Sequence, residues 1–160
     1  MTTICVKDGI IAADTKITGS SYAQHDFNKV FKVGKEWIGL AGHCSKFKEY
    51  VSWYKSDRDD EPPDDVQCIV LHTDGTVSIF EDGESDSYTR TKYGAIGTGA
   101  GNAMGSMWNG ATAIEGVQCA IDLDPTGCTG GDIVYDGYKK NINKVTIPEN
   151  AIWMRDYGKK

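Results

Sequence analysis

The order of elements in this chain predicts an α+β fold: two mainly antiparallel sheets with helices on their outer faces, in a single domain over residues 1–160. Two observations carry that prediction. Apolar runs of strand length come in groups, with one helical stretch after the first group and two after the second. Strands and helices never alternate regularly, which excludes the doubly wound parallel sheet that such alternation builds.

Ile4 to Val6 and Ile10 to Ala13 read as strands joined at Lys7, Asp8 and Gly9, and Asp-Gly is a strong hairpin signal. The second run is continuously apolar, which predicts cover on both faces. From Lys16 to Ser21 the chain turns polar, as an exposed strand end or loop does. Lys29 to Val33 and Trp37 to Ala41 are the next strands, separated by a turn at Gly34. Phe47, Tyr50, Val51 and Tyr54 then fall at helical spacing, so an amphipathic helix lies between Gly42 and Ser56. The acidic stretch from Ser56 to Asp65, with its two prolines, is a solvated connector. Val66 to Leu71, Thr76 to Phe80, Ser87 to Thr91 and Tyr93 to Ile96 are strands. A small-residue helix follows, with Met104, Met107 and Trp108 on one face, and breaks at Asn109 and Gly110. Thr112 and Glu115 form a capping box that opens another helix, carrying Ile114, Val117 and Ile121 and stopped by Asp124 and Pro125. Asp132 to Tyr135, Val145 to Ile147 and Ala151 to Met154 are the last strands.

Hydrophobic content of 39% and charged content of 25% fit a soluble globular protein, and 160 residues suffice to bury a sizeable core. No apolar run approaches membrane-spanning length, and no basic stretch followed by a long apolar run opens the chain. A net charge of −6 argues against general nucleic-acid binding. The five cysteines, Cys5, Cys44, Cys68, Cys119 and Cys128, are an odd number set mostly in apolar runs, as reduced thiols in a cytosolic-type compartment are. None of them has metal-ligand spacing, and no metal or cofactor is expected.

The chemistry begins at the first residues. Removing Met1 would leave Thr2 with its hydroxyl and a free α-amine on one residue, a nucleophile together with its base. An α-amine has a pKa of about 7.7–8.0, so much of it is neutral near physiological pH. A retained Met1 would block that amine. Methionine before a small residue is a good aminopeptidase substrate, so cleavage is the expected mature state.

Five motifs stand in a fixed order. Thr2, Thr3 and Ile4 precede the run from Gly9 to Asp14, which continues through Thr15, Lys16, Ile17, Thr18 and Gly19. Asn28, Lys29 and Val30 follow, then Leu40, Ala41 and Gly42, then Ile96 to Gly99, then Asp124 and Pro125 with Thr129, Gly130 and Gly131. Together they resemble the proteasome β-subunit family, above all its simple bacterial branch, HslV, and the short HslV-like peptidases of phages and bacteria.

The resemblance implies a four-layer αββα sandwich, the N-terminal nucleophile (Ntn) hydrolase fold, and a threonine endopeptidase. Thr2 would attack a peptide carbonyl, with its own amine as general base. Lys29 would lie beside Thr2 and pair with Asp14, and the Gly42 backbone N–H would help hold the oxyanion. Thr98, Asp124 and Thr129 would fix the amine and a water. Thr18 and Cys44 would offer backbone bonds to a substrate bound as an added strand, and Ile17, Phe27, Leu40 and Cys44 would line an apolar pocket. The implied partners are a peptide or unfolded chain, a homo-oligomeric ring of roughly six or seven copies and a separate ATPase unfoldase. The location would be the cytoplasm, or a virion if phage-encoded.

The chain also departs from the family pattern. Threonines stand at Thr98 and Thr129 where the family has serine, and two further residues, Thr126 and Gly127, leave open whether Asp124 or Asp122 reaches the site. His43 stands where a small residue is usual and is expected to point outward. Cys5 is expected to pack within the first strand. A rival reading is a structural or assembly subunit, such as a phage virion component, that keeps the fold without activity. A third is an Ntn hydrolase of small amides.

Overall fold

The computed structural model describes residues 2–19, 23–84, 91–126, 129–138 and 147–156. The fold is α+β. Strands β1 (Thr3–Lys7) and β2 (Ile10–Asp14) form the expected hairpin, with Asp8 and Gly9 both in the left-handed region at φ 53° and 77°, as a tight two-residue hairpin turn requires. Two short strands follow, β3 (Ile17–Thr18) and β4 (Ala23–Gln24), paired with each other. Then come β5 (Val30–Val33) and β6 (Glu36–Gly42), one turn of 3-10 helix at Cys44–Lys46, and helix α1 (Phe47–Lys55). Strands β7 (Val66–Leu71), β8 (Val77–Phe80) and β9 (Tyr93–Gly97) precede helices α2 (Ala100–Trp108) and α3 (Ala113–Leu123). Strands β10 (Ile133–Gly137) and β11 (Ala151–Trp153) complete the described elements.

The strands make a five-stranded sheet in the order β11-β10-β2-β1-β9 and a four-stranded sheet in the order β5-β6-β7-β8. All pairings are antiparallel except β10 with β11. Side chains alternate across a strand, and here the alternation sorts the core. Ile4, Val6, Ile11 and Ala13 face the second sheet and cluster with Val30, Trp37, Ile69 and Leu71. Cys5, Ile10 and Ala12 face the other way, against Ala103, Met107, Ile114 and Val117 of α2 and α3. On the second sheet Ile38, Leu40, Cys68 and Val70 meet Phe47, Tyr50, Trp53 and Tyr54 of α1. Each fully buried Val, Ile, Leu, Phe or Met among them is worth about 1.5–3 kcal/mol.

The capping box at Thr112 and Glu115 is formed in both directions, and α3 ends where Pro125 requires. The face of helix α2 that carries the two methionines and Trp108 is only partly covered. Met107 is buried, but Met104 is 36% and Trp108 79% exposed. The buried side of α2 is set by Ala103 and Met107, which close on Gly116 of α3, where an added Cβ would come within 3.3 Å of Met107. The strands expected at Ser87 to Thr91 and Val145 to Ile147 fall mostly outside the described residues; Thr91 itself bridges to Val77. No helix among the described residues is long and apolar enough to cross a membrane.

Candidate active site

Asp14 ends β2 and Lys29 immediately precedes β5, so both stand at strand ends on the same side of the two sheets. The Lys29 Nζ donates to Asp14 Oδ1 at 2.9 Å and to the Lys16 carbonyl at 2.5 Å. Neither side chain of the pair is exposed to solvent. Asp14 accepts two further bonds, from the Thr3 N–H at 3.0 Å and the Gly130 N–H at 3.2 Å. Burial lowers the Lys29 ammonium from its ordinary range, with the Asp14 carboxylate opposing. Burial likewise raises Asp14, opposed by Lys29 and by the two N–H groups. Three N–H donors converging on one carboxyl favour the ionised form. Lys29 is lowered by its burial, and the ionised Asp14 beside it offsets that lowering only in part.

Thr2 precedes β1 and is 5% exposed. Its carbonyl accepts from the Gly99 N–H at 3.4 Å. Gly97, at φ 93°, runs so close that a Cβ there would lie 1.9 Å from the Thr2 oxygen. Gly42 has φ 111°, and a Cβ on it would lie 2.2 Å from the Asp65 carbonyl. Only glycine fits either position. Thr2 and Gly42 share two cavities. One, of about 310 Å³, is completed by Ala41, Gln67, Gly97 and Thr98. The other, of about 60 Å³, is completed by Ile17, Thr18, Cys44 and Phe47. A neighbouring cavity of about 640 Å³ shares Thr18, Gly42 and Cys44 and adds His43, Asp65 and Asp82.

Of the residues singled out from sequence, Thr2, Ile17, Thr18, Gly42, Cys44 and Thr98 therefore line connected space, with the Lys29–Asp14 pair bonded to the peptide N–H that follows Thr2. Leu40 is wholly buried among the α1 side chains, and Phe27 packs against that cluster; neither lines these cavities. Thr129 is buried, and its hydroxyl lies 3.4 Å from the hydroxyl of Thr3. Asp124 Oδ2 accepts from the Thr129 N–H at 2.6 Å, and its Oδ1 accepts from Thr126. Asp122 is exposed and bonds Gln118. His43 is exposed. Cys5 is fully buried with its thiol pushed far above the usual range by burial, so it is an inert thiol.

Sequence reasoning missed Phe47 and Gln67 as cavity walls, Gly130 as a donor to Asp14, and Thr3. Alternation along β1 puts Thr3 on the opposite face from its neighbours, a signal that was available. A serine–histidine–carboxylate line also exists elsewhere, with His72 bonded to Ser78 at 2.7 Å and to Glu36. Ser78 is 2% exposed and lines none of the three cavities, so that line is a structural link.

No protein-family model matches the chain, and no curated protein does. Among solved structures its fold is that of a bacterial proteasome homologue. One structure is Thiobacillus denitrificans BPH in complex with epoxomicin, 18% identical over 86% of this chain and 97% of that one, with a TM-score of 0.64. Another is Thiobacillus denitrificans BPH, 17% identical over 89% and 99%, again with a TM-score of 0.64.

Proposed function

We propose that this protein is a threonine endopeptidase of the Ntn-hydrolase type, with a four-layer αββα sandwich, that hydrolyses peptide bonds through Thr2 once Met1 is removed. The observation that carries the reading is the buried Lys29–Asp14 pair, hydrogen-bonded to the N–H that follows Thr2, beside a cavity shared by Thr2 and Gly42. Thr2 Oγ attacks the carbonyl, and its α-amine, through a water, takes the proton and returns it to the leaving amine. The Lys29 ammonium nearby disfavours protonation of that amine and keeps it a base near neutral pH. The Gly42 N–H holds the oxyanion. Thr98, Asp124 and Thr129 form the polar shell, and Ile17, Thr18 and Cys44 form the substrate side, with Leu40 and Phe27 packed behind them in the α1 cluster. The epoxomicin complex of the bacterial proteasome homologue supports the chemistry by analogy of fold. Homo-oligomeric rings of roughly six or seven copies, fed by an ATPase unfoldase in a cytoplasm, host cytoplasm or virion, complete the proposal.

Two measurements on purified protein test it. Intact mass reads the loss of one methionine, and hydrolysis of a fluorogenic peptide compares wild type with Thr2→Ala. Equal hydrolysis by the two, with Met1 absent, would leave the inactive assembly subunit as the better reading.

A further inference from the structure

Thr3 sits beside the proposed nucleophile and takes no part in the scheme above, yet several constraints of the site converge on it. It is wholly buried. Its N–H donates to Asp14 Oδ1 at 3.0 Å. The other carboxylate oxygen of Asp14 accepts from the Gly130 N–H at 3.2 Å. Gly130 follows Thr129 in the chain, and the Thr129 hydroxyl lies 3.4 Å from that of Thr3. These links close a circuit: Thr3 backbone, Asp14, Gly130, Thr129, Thr3 side chain. Gly99 leaves room for it, since a Cβ there would fall 1.9 Å from the Thr3 hydroxyl.

A valine would fill this strand position as well as threonine does, so the hydroxyl needs its own reason. A buried hydroxyl without a partner is costly, and among the described residues Thr129 is the partner this one has. At 3.4 Å the bond is long for two hydroxyls. It orients Thr129 without locking it, and when Thr3 donates, the proton of Thr129 is left to point elsewhere. Asp124 holds Thr129 from the other side, through its N–H at 2.6 Å.

We infer that Thr3 is a positioning residue for the proposed hydrolysis, its hydroxyl setting the orientation of the Thr129 hydroxyl. The inference rests on the peptidase reading above. Its test uses full-length protein whose Met1 removal is checked by intact mass for each variant. Thr3→Val keeps the shape and loses the hydroxyl, whereas Thr3→Ser keeps the hydroxyl. The expected result is a kcat lower by on the order of 10-fold to 100-fold in Thr3→Val with KM little changed, a displaced ascending limb of the kcat–pH profile, and recovery of both in Thr3→Ser. Thr129→Val reads the same bond from its other end if Thr3→Val fails to fold, and the double variant should be no worse than either single one. A role in packing alone would lower Tm and leave the pH profile in place. Wild-type kcat and pH profile in both valine variants would overturn the inference while the peptidase reading stood. Hydrolysis indifferent to Thr2→Ala would overturn both.

Discussion

Two lysine–aspartate pairs in this protein share one chemistry and differ in everything around it. Lys29 and Asp14 meet at 2.9 Å with no solvent exposure on either side chain. Lys46 and Asp64 meet at the surface, with side chains 31% and 76% exposed. Burial lowers the first lysine, whereas hydrogen bonding to Asp64 raises the second. Desolvation outweighs the partner in one place, and the partner outweighs desolvation in the other. A charge pair kept dry at such cost, at strand ends beside a cavity, is poor economy for stability and good placement for chemistry.

The sharpest way to break that contrast is Asp14→Leu. It strands a buried ammonium and the N–H groups of Thr3 and Gly130 together, so chemical denaturation should show a loss of at least about 3–5 kcal/mol. Lys29→Met comes next, at about 3 kcal/mol, because Asp14 keeps its two backbone donors. Removing the ammonium should also shift the ascending limb of the activity–pH profile upward, toward the ordinary α-amine value of about 7.7–8.0. An unshifted limb would mean that Lys29 does not act on the Thr2 amine.

The third effect is in stability against pH, and the two lysines have opposite signs. The folded pKa of Lys29 lies below its ordinary value of 10.5, so between the two the unfolded chain binds a proton that the folded chain does not. Stability from Lys29 therefore rises with pH through that window. The stability gap between wild type and Lys29→Met should widen as pH climbs toward the ordinary lysine value. Lys46 has a raised folded pKa, so its contribution is present below its ordinary value and lost as pH rises through the folded one. The smallest effect is that of Lys46→Ala itself, for which denaturation at moderate salt should resolve no change, since exposed pairs are screened.

The β1–β2 hairpin was legible because Asp8 and Gly9 carry its turn and the flanking apolar residues are strand-like locally. The capping box at Thr112 was legible for the same reason, since all its partners lie within one turn. Asp14 and Lys29 were another matter. They are 15 residues apart, and nothing local joins them; only the order of several motifs brought them together. Which side of α2 is covered was not legible from its own sequence, because the closeness allowed by Gly116 on another helix sets it and leaves Met104 and Trp108 exposed. Thr129 was expected to help fix the Thr2 amine and a water, and its hydroxyl meets Thr3, a contact across 126 residues that no local pattern encodes.

A covalent adduct reads the role of Thr2 as nucleophile directly. Purified protein incubated with epoxomicin should gain the mass of one inhibitor on a chain lacking Met1, with peptide mapping placing it on Thr2 and Thr2→Ala taking none. A processed chain that stays unmodified, or an adduct on Cys44 instead, would contradict it.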